Sequence, residues 1–218
     1  MSKVLIITYY WPPSGGSGVQ RWLKFVKYLP QLGYEPIILT VDKNKASYPQ
    51  IDRTLEKDIP TGVRIERTNT FEILNLYKKV SPEKEIPYGG FSDEKDPSLF
   101  QKISRFIRGN FFLPDPRKGW NSYAYKRACE LIEQENIKTV ITTSPPHSTQ
   151  LIGLKLKKRF SSSIQWLVDF RDPWTDIHYY KKLYPTFVAN AINKSYERRV
   201  LQGADKIIVT CKATQDSF

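Results

Sequence analysis

Apolar residues recur along this chain in short dense runs, with segments of helical period between them. The runs VLIITYY (4–10), PIILTV (36–41), VRIERTN (63–69), TVITTS (139–144), IQWLVDF (164–170) and KIIVTC (206–211) have strand length. Most are rich in Val and Ile and apolar at consecutive positions, as strands buried on both faces of a parallel sheet are. VRIERTN alternates and is expected nearer an edge. Over 19–32, Trp22, Phe25, Val26, Leu29 and Leu32 share one helical face, and Gly33 follows as a stop. Ala124, Ala128, Leu131 and Ile132 predict a helix over 121–135, with Asn121 or Ser122 as its cap. Ile152, Leu156 and Phe160 predict another over 148–160, with Ser148 as cap. Phe187, Val188, Ala191, Ile192, Ser195 and Tyr196 mark a long helix over 183–202 that ends at Gly203.

Strand and helix alternate, which predicts an α/β fold. The expected form is a Rossmann-like, doubly wound, mostly parallel sheet of six to seven strands with helices on both faces. Residues 78–98, KKVSPEKEIPYGGFSDEKDPS, are polar and carry Pro and Gly, so they read as an excursion between elements. The last residues read as a sixth strand and the first turns of a further helix. The expectation is therefore a single domain over 1–218, cut from a longer chain.

Composition narrows the classes. A chain of 218 residues that is 40% hydrophobic can bury a sizeable core. Its first residues lack the long apolar region and small-residue cleavage site of a signal peptide, and no run is long enough to span a bilayer. A cytoplasmic protein is expected. Cys129 and Cys211 stand far apart without metal spacing and are expected to be buried reduced thiols. His147 and His178 are the only histidines, so a multi-histidine metal site is excluded. The net charge of +12 is partly local: residues 101–130 hold seven Lys or Arg against two acids, and residues 178–200 hold five against one. Such patches suit nucleic acid, anionic lipid or a phosphorylated substrate, or are simply a solubilising surface. No nucleic-acid recognition motif accompanies them.

Ligands of a doubly wound sheet sit beyond the carboxyl ends of its strands, so the loops there are the candidates. In YYWPPSGGSGVQRW (9–22), Gly15, Gly16 and Gly18 would let backbone approach a phosphate at a helix N-terminus, and Arg21 would offer a charged fork. A structural glycine turn is the alternative. Arg21 stands where a dinucleotide fingerprint wants its third glycine, and Asp42 fits only loosely as the acid such a site needs. In TTSPPHS (142–148), Ser144, His147 and Ser148 can bond a polyol, and His147 could serve as a base. A plain helix cap is the other reading. In DFRDPW (169–174), Asp169, Arg171 and Asp172 put two carboxylates and a guanidinium at a strand end, and Trp174 offers a stacking face. An Asp–Arg pair locking a turn would look the same. FLPDPRKGW (112–120) combines aromatic, basic and turn residues that could line a pocket rim or touch a membrane, and reads foremost as a structural connection with an exposed basic edge.

The segments YYWPPSGGSGVQR, LPQLGYEPIILT, TSPPHS, DFRDPW and GADKIIVT together resemble the N-terminal domain of family-4 glycosyltransferases of the GT-B fold, the bacterial polysaccharide-synthesis type. The resemblance covers 3–216. It implies one acceptor-side half of a retaining, metal-independent transferase, inactive without the C-terminal domain that holds the nucleotide-sugar. The implied partners are a nucleotide-sugar donor, a glycan or lipid-linked acceptor and the anionic inner face of the membrane, with no cofactor, no metal and no nucleic acid. It puts Gly15, Gly16, Gly18 and Arg21 at the donor phosphates. With the loop readings above, Ser144, His147, Ser148, Asp169 and Trp174 are expected at the acceptor, and the resemblance sets Arg171 and Asp172 at the reacting centre. Many members keep a histidine where this chain has Arg171, so a His-based role is not implied there. A nucleotide- or NAD-binding domain of an oxidoreductase or epimerase is the competing class.

Overall fold

A computed structural model describes residues 1–72 and 98–218. The 78–97 part of the polar excursion lies outside the described residues. Six strands, β1 (Ser2–Ile7), β2 (Tyr34–Val41), β3 (Arg64–Thr68), β4 (Thr139–Ser144), β5 (Gln165–Phe170) and β6 (Lys206–Val209), form one sheet in the order β3-β2-β1-β4-β5-β6. Every neighbouring pair is parallel. This is the Rossmann strand order, with its reversal point between β1 and β4. The helices are α1 (Ser17–Tyr28), α2 (Leu99–Phe111), α3 (Asn121–Glu135), α4 (Ser148–Phe160), α5 (Phe187–Gly203) and the short α6 (Lys212–Asp216).

The period of two along β1 divides the core. Leu5 and Ile7 pack with α3, α4 and α5 on one face, while Val4 and Ile6 pack with Val19, Trp22, Leu23 and Val26 of α1 on the other. All four β1 residues are almost wholly buried, which is why this strand reads as an unbroken apolar run. At the edges β3 is only half-buried and β6 is largely exposed at its start.

Several boundaries differ from the sequence reading for identifiable reasons. The first helix starts at Ser17, so Gly18 lies inside it, and it gives way at Leu29 to a 3-10 turn containing Pro30. Proline has no N–H to continue the helical ladder, and Gly33 closes the turn at φ 83°. Phe25 and Leu32, expected on the buried face, are 43% and 73% exposed. The long helix begins at Phe187, where the Thr186 hydroxyl accepts from the Ala189 N–H at 3.3 Å. Neither Asn121 nor Ser122 caps α3. Asn121 is already helical and instead donates from Nδ2 to the Ser148 carbonyl at 2.7 Å. Cys129 is buried as expected, but Cys211 is exposed.

Candidate functional site

The crevice opens where β1 and β4 part. Its first wall is the nine-residue stretch 8–16, which folds on itself rather than forming a tight phosphate turn. Trp11 is buried against α1, and Tyr9 is buried on the opposite face, donating to the Glu72 carboxylate. The Gly15 N–H donates to the Gln50 carbonyl at 3.0 Å, and the Asp52 N–H returns a bond to Pro13 at 2.8 Å. Gly15 therefore has its donor engaged, and a Cβ there would press on Asp52 and Gln50 at 3.1 Å. Gly16 is the N-cap of α1 at φ 104°, a backbone setting that favours glycine, and no side chain caps that helix. Within the first turn of α1 the Val19 N–H closes onto the Gly16 carbonyl at 3.1 Å.

The DFRDPW segment divides into three roles. Asp169 is completely buried and accepts from Trp22 Nε1 at 2.8 Å, Thr143 Oγ1 at 2.8 Å and Arg21 Nη2 at 3.2 Å. Both its oxygens are committed inside the protein, so Asp169 ties β5 to α1 and β4 instead of reaching an acceptor. Arg21 is its charged partner and also lies over the Phe25 ring at 5.0 Å. Arg171 turns back across the loop after β4, donating from Nε to the Ser144 carbonyl at 3.0 Å and from Nη2 to the Pro145 carbonyl. A Cβ on Gly18 would fall 1.1 Å from Arg171 Nη1. Gly18 is therefore the residue that lets this guanidinium lie against the first turn of α1. Asp172 is half-buried and makes no hydrogen bond or ion pair among the described residues; its charge acts on the Tyr179 hydroxyl.

In the loop after β4, the Ser148 helix cap becomes an inverted arrangement. Ser148 is the first residue of α4, and Asp115 caps the helix from outside. Asp115 Oδ2 accepts from the Ser148 N–H at 2.7 Å, and Oδ1 accepts from the Ser148 hydroxyl at 2.9 Å and the Arg117 N–H at 2.9 Å. The negative group suits that helix end, and it leaves Ser148 with both donors engaged. Burial nonetheless pushes the Asp115 carboxyl up from its ordinary value against the pull of those bonds. Ser144 is buried and its hydroxyl has no partner among the described residues.

His147 stacks flat on Trp174, with ring centroids 4.9 Å apart and planes 12° from parallel. It is buried, and neither ring nitrogen has a partner among the described residues. Burial first, and the Arg171 charge second, push its imidazole down to about 3. His147 is therefore neutral near pH 7, and a weaker base than an exposed imidazole.

His147 and Trp174 line a cavity of about 90 Å³ at this end of the sheet. Tyr10, Arg108, Asp115, Arg117 and Tyr179 line it too, so the loop read as a connection, together with α2, forms one of its walls. Arg108, Asp115 and Arg117 were not singled out from the sequence. A signal for α2 was present in the S-x-x-Q capping box at Ser98 and Gln101, which both close onto the helix.

The strand order, with its reversal at β1/β4, defines a Rossmann-like α/β domain. The short dinucleotide turn is absent from it. Asp42, the acid a dinucleotide site would use, is engaged in a local turn with the Asn44 N–H at 3.0 Å. No family model matches the chain, and no curated protein matches it. Among solved structures, apo UGT2 of Phytolacca americana aligns with a TM-score of 0.49 and 11% identity, over 96% of this chain and 46% of that one. The chain thus spans about half the length of that structure.

Proposed function

We propose that this chain is the acceptor-side domain of a two-domain, retaining, metal-independent glycosyltransferase of the family-4 type. It would move a sugar from a nucleotide-sugar to a glycan or lipid-linked acceptor of cell-surface polysaccharide, at the inner face of the membrane. One observation carries the reading: a cavity at the reversal point lined by Arg108, Asp115 and Arg117, with a neutral buried imidazole stacked on Trp174 and without a partner among the described residues. Trp174, read from the sequence as a stacking face, is itself 2% exposed and covered by His147, so it would act by holding that imidazole in the cavity wall.

Sugar transfer must stabilise positive charge at the anomeric carbon and negative charge on the departing diphosphate. The uncapped start of α1 at Gly16, with Arg171 lying against its first turn, suits the diphosphate. Asp172, whose charge acts on Tyr179 of the cavity lining, would accept a sugar hydroxyl. Arg21 contributes by fixing Asp169 and with it the α1–β5 contact. Exposed Phe111 and Phe187, on helices joined where Asn110 Nδ2 donates to the Tyr184 carbonyl at 3.0 Å, suit a membrane surface.

The test is sugar transfer by the complete protein with a panel of nucleotide-sugars, comparing Asp172→Asn and Gly16→Val with the unaltered protein. Both substitutions are expected to lower kcat/KM at least about tenfold, the loss of one good transition-state contact. Full activity in both would refute the assignment.

A further inference from the structure

Helix α2 is turned the opposite way from an ordinary surface helix. Arg105 is 5% exposed, Arg108 lines the cavity, and a Cβ on Gly109 would fall 2.3 Å from the Leu183 carbonyl oxygen, so the charged and small residues face the protein. Ile103 and Phe106, on the other side of the helix, are exposed. A helix at a water surface normally turns its apolar stripe inward and its charges outward. The exposed apolar side continues past the helix end. Asn110 Nδ2 donates to the Tyr184 carbonyl at 3.0 Å, and Asn110 Oδ1 accepts from the Thr186 N–H at 2.7 Å, which holds the end of α2 against the start of α5. Phe111, Tyr184, Phe187 and Val188 are exposed at that junction. Phe106, Phe111, Tyr184 and Phe187 are four rings of about 150–250 Å² each, 40–87% exposed. They reach the few hundred Å² at which an apolar patch marks a contact surface. The charge of this corner has one sign: residues 98–114 and 177–196 hold six Lys or Arg and no Asp or Glu. Of these, Lys102, Lys181 and Lys194 are exposed, and Lys102 stands one helical turn before Phe106.

We propose that the outer face of α2 and the start of α5 together form a docking surface for an anionic lipid bilayer. The apolar side chains of this corner enter the boundary between headgroups and acyl chains, and the exposed lysines meet the anionic headgroups. Apolar burial and cationic attraction add at such a surface. A second copy of the chain docked through the same face would instead set these cations against their like, which is unfavourable. The inference rests on the acceptor-side reading above and narrows it to the lipid-linked form. The inner sides of the same elements supply Arg108, Tyr179, Tyr180 and Leu183 to the cavity. An acceptor anchored in the bilayer beside α2 would therefore bring its polar end to that cavity.

Sedimentation of the 218-residue protein with vesicles tests the surface. Vesicles of phosphatidylcholine alone are compared with vesicles of equal parts phosphatidylcholine and phosphatidylglycerol, at low and high salt. Binding to the anionic vesicles is expected to be at least about tenfold tighter than to phosphatidylcholine alone, and to weaken as salt rises. Lys102→Gln combined with Lys181→Gln should weaken it at least about tenfold at low salt. Phe111→Ser combined with Phe187→Ser should do so at either salt concentration, by at least about tenfold. Leu32→Ser, which alters an exposed residue beside the opposite ends of the strands, should leave binding unchanged. All these substitutions alter exposed side chains, and an unchanged urea midpoint confirms the fold of each variant. Equal binding to the two kinds of vesicle, or full binding by both double variants, overturns the proposal. Absence of vesicle binding overturns it too, and dimerisation in analytical ultracentrifugation that Phe111→Ser with Phe187→Ser abolishes would then assign the face to a second copy. Sugar transfer to a water-soluble acceptor by the complete protein decides the transferase reading separately.

Discussion

Burial of His147 has a measurable thermodynamic consequence. Its folded pKa of about 3 lies below the 6.5 of an exposed imidazole. Between those values the unfolded chain binds a proton that the folded chain excludes, so stability rises with pH across that window and falls as pH drops through 6.5. At pH 7 nearly all of this contribution is present. At pH 5 the unfolded imidazole is almost fully protonated while the folded one is neutral, and the loss relative to pH 7 is about 2 kcal/mol. Urea unfolding of the unaltered protein and of His147→Phe at pH 7, 6 and 5 isolates the term. Phenylalanine keeps an aromatic face on Trp174 and cannot titrate. The difference in unfolding free energy between the two proteins should shift by about 2 kcal/mol in favour of the variant from pH 7 to pH 5. Carboxylates shared by both proteins cancel in that difference. A difference that stays constant with pH would refute the buried, neutral state of His147.

Other consequences follow from the packing. Asp169→Ala strands Trp22 Nε1, Thr143 Oγ1 and Arg21 around an empty buried position and should cost about 3–5 kcal/mol in chemical denaturation; a cost below about 1 kcal/mol would contradict its role as a tie. Gly153→Ala places a Cβ 2.1 Å from Nε1 of the fully buried Trp166, itself held to Thr142 Oγ1 at 2.9 Å, and should destabilise by about 1–3 kcal/mol. Cys211 is exposed, with its thiol drawn down chiefly by a hydrogen bond with Thr214, whereas burial pushes the Cys129 thiol up. Iodoacetamide at pH 8 should therefore modify Cys211 well before Cys129, as peptide mass mapping would report.

The strands were legible because buried parallel strands have an unmistakable composition: each of the six apolar runs overlaps a strand of the sheet, and VRIERTN sits at an edge as its alternation suggested. The site was legible as a set of loops but not as a set of bonds. Asp169 and Arg21 looked like ligand groups at two separate strand ends, and nothing local reveals that residues 148 apart pair with each other. Asp115 looked like a turn residue because its capping role is played on a helix 33 positions away. Arg117 was counted within a basic surface, since burial of a guanidinium depends on partners such as Ser47, 70 residues distant. The opening loop shows the same limit from the other side. Its glycines suggested a phosphate cradle, yet Gly15 serves the contact with Gln50, Gly18 makes room for Arg171, and only Gly16 stands at the open helix end.

The central claim is that the β1/β4 crevice with its His147–Trp174 cavity receives the acceptor of a sugar transfer. The most direct measurement is steady-state transfer by the complete protein with its preferred nucleotide-sugar, comparing His147→Phe with the unaltered protein while acceptor concentration is varied. The account predicts a loss in kcat/KM for acceptor of at least about tenfold, with the nucleotide-sugar dissociation constant unchanged. Unchanged acceptor kinetics in the variant, or micromolar NAD binding by a protein that consumes no nucleotide-sugar, would contradict it.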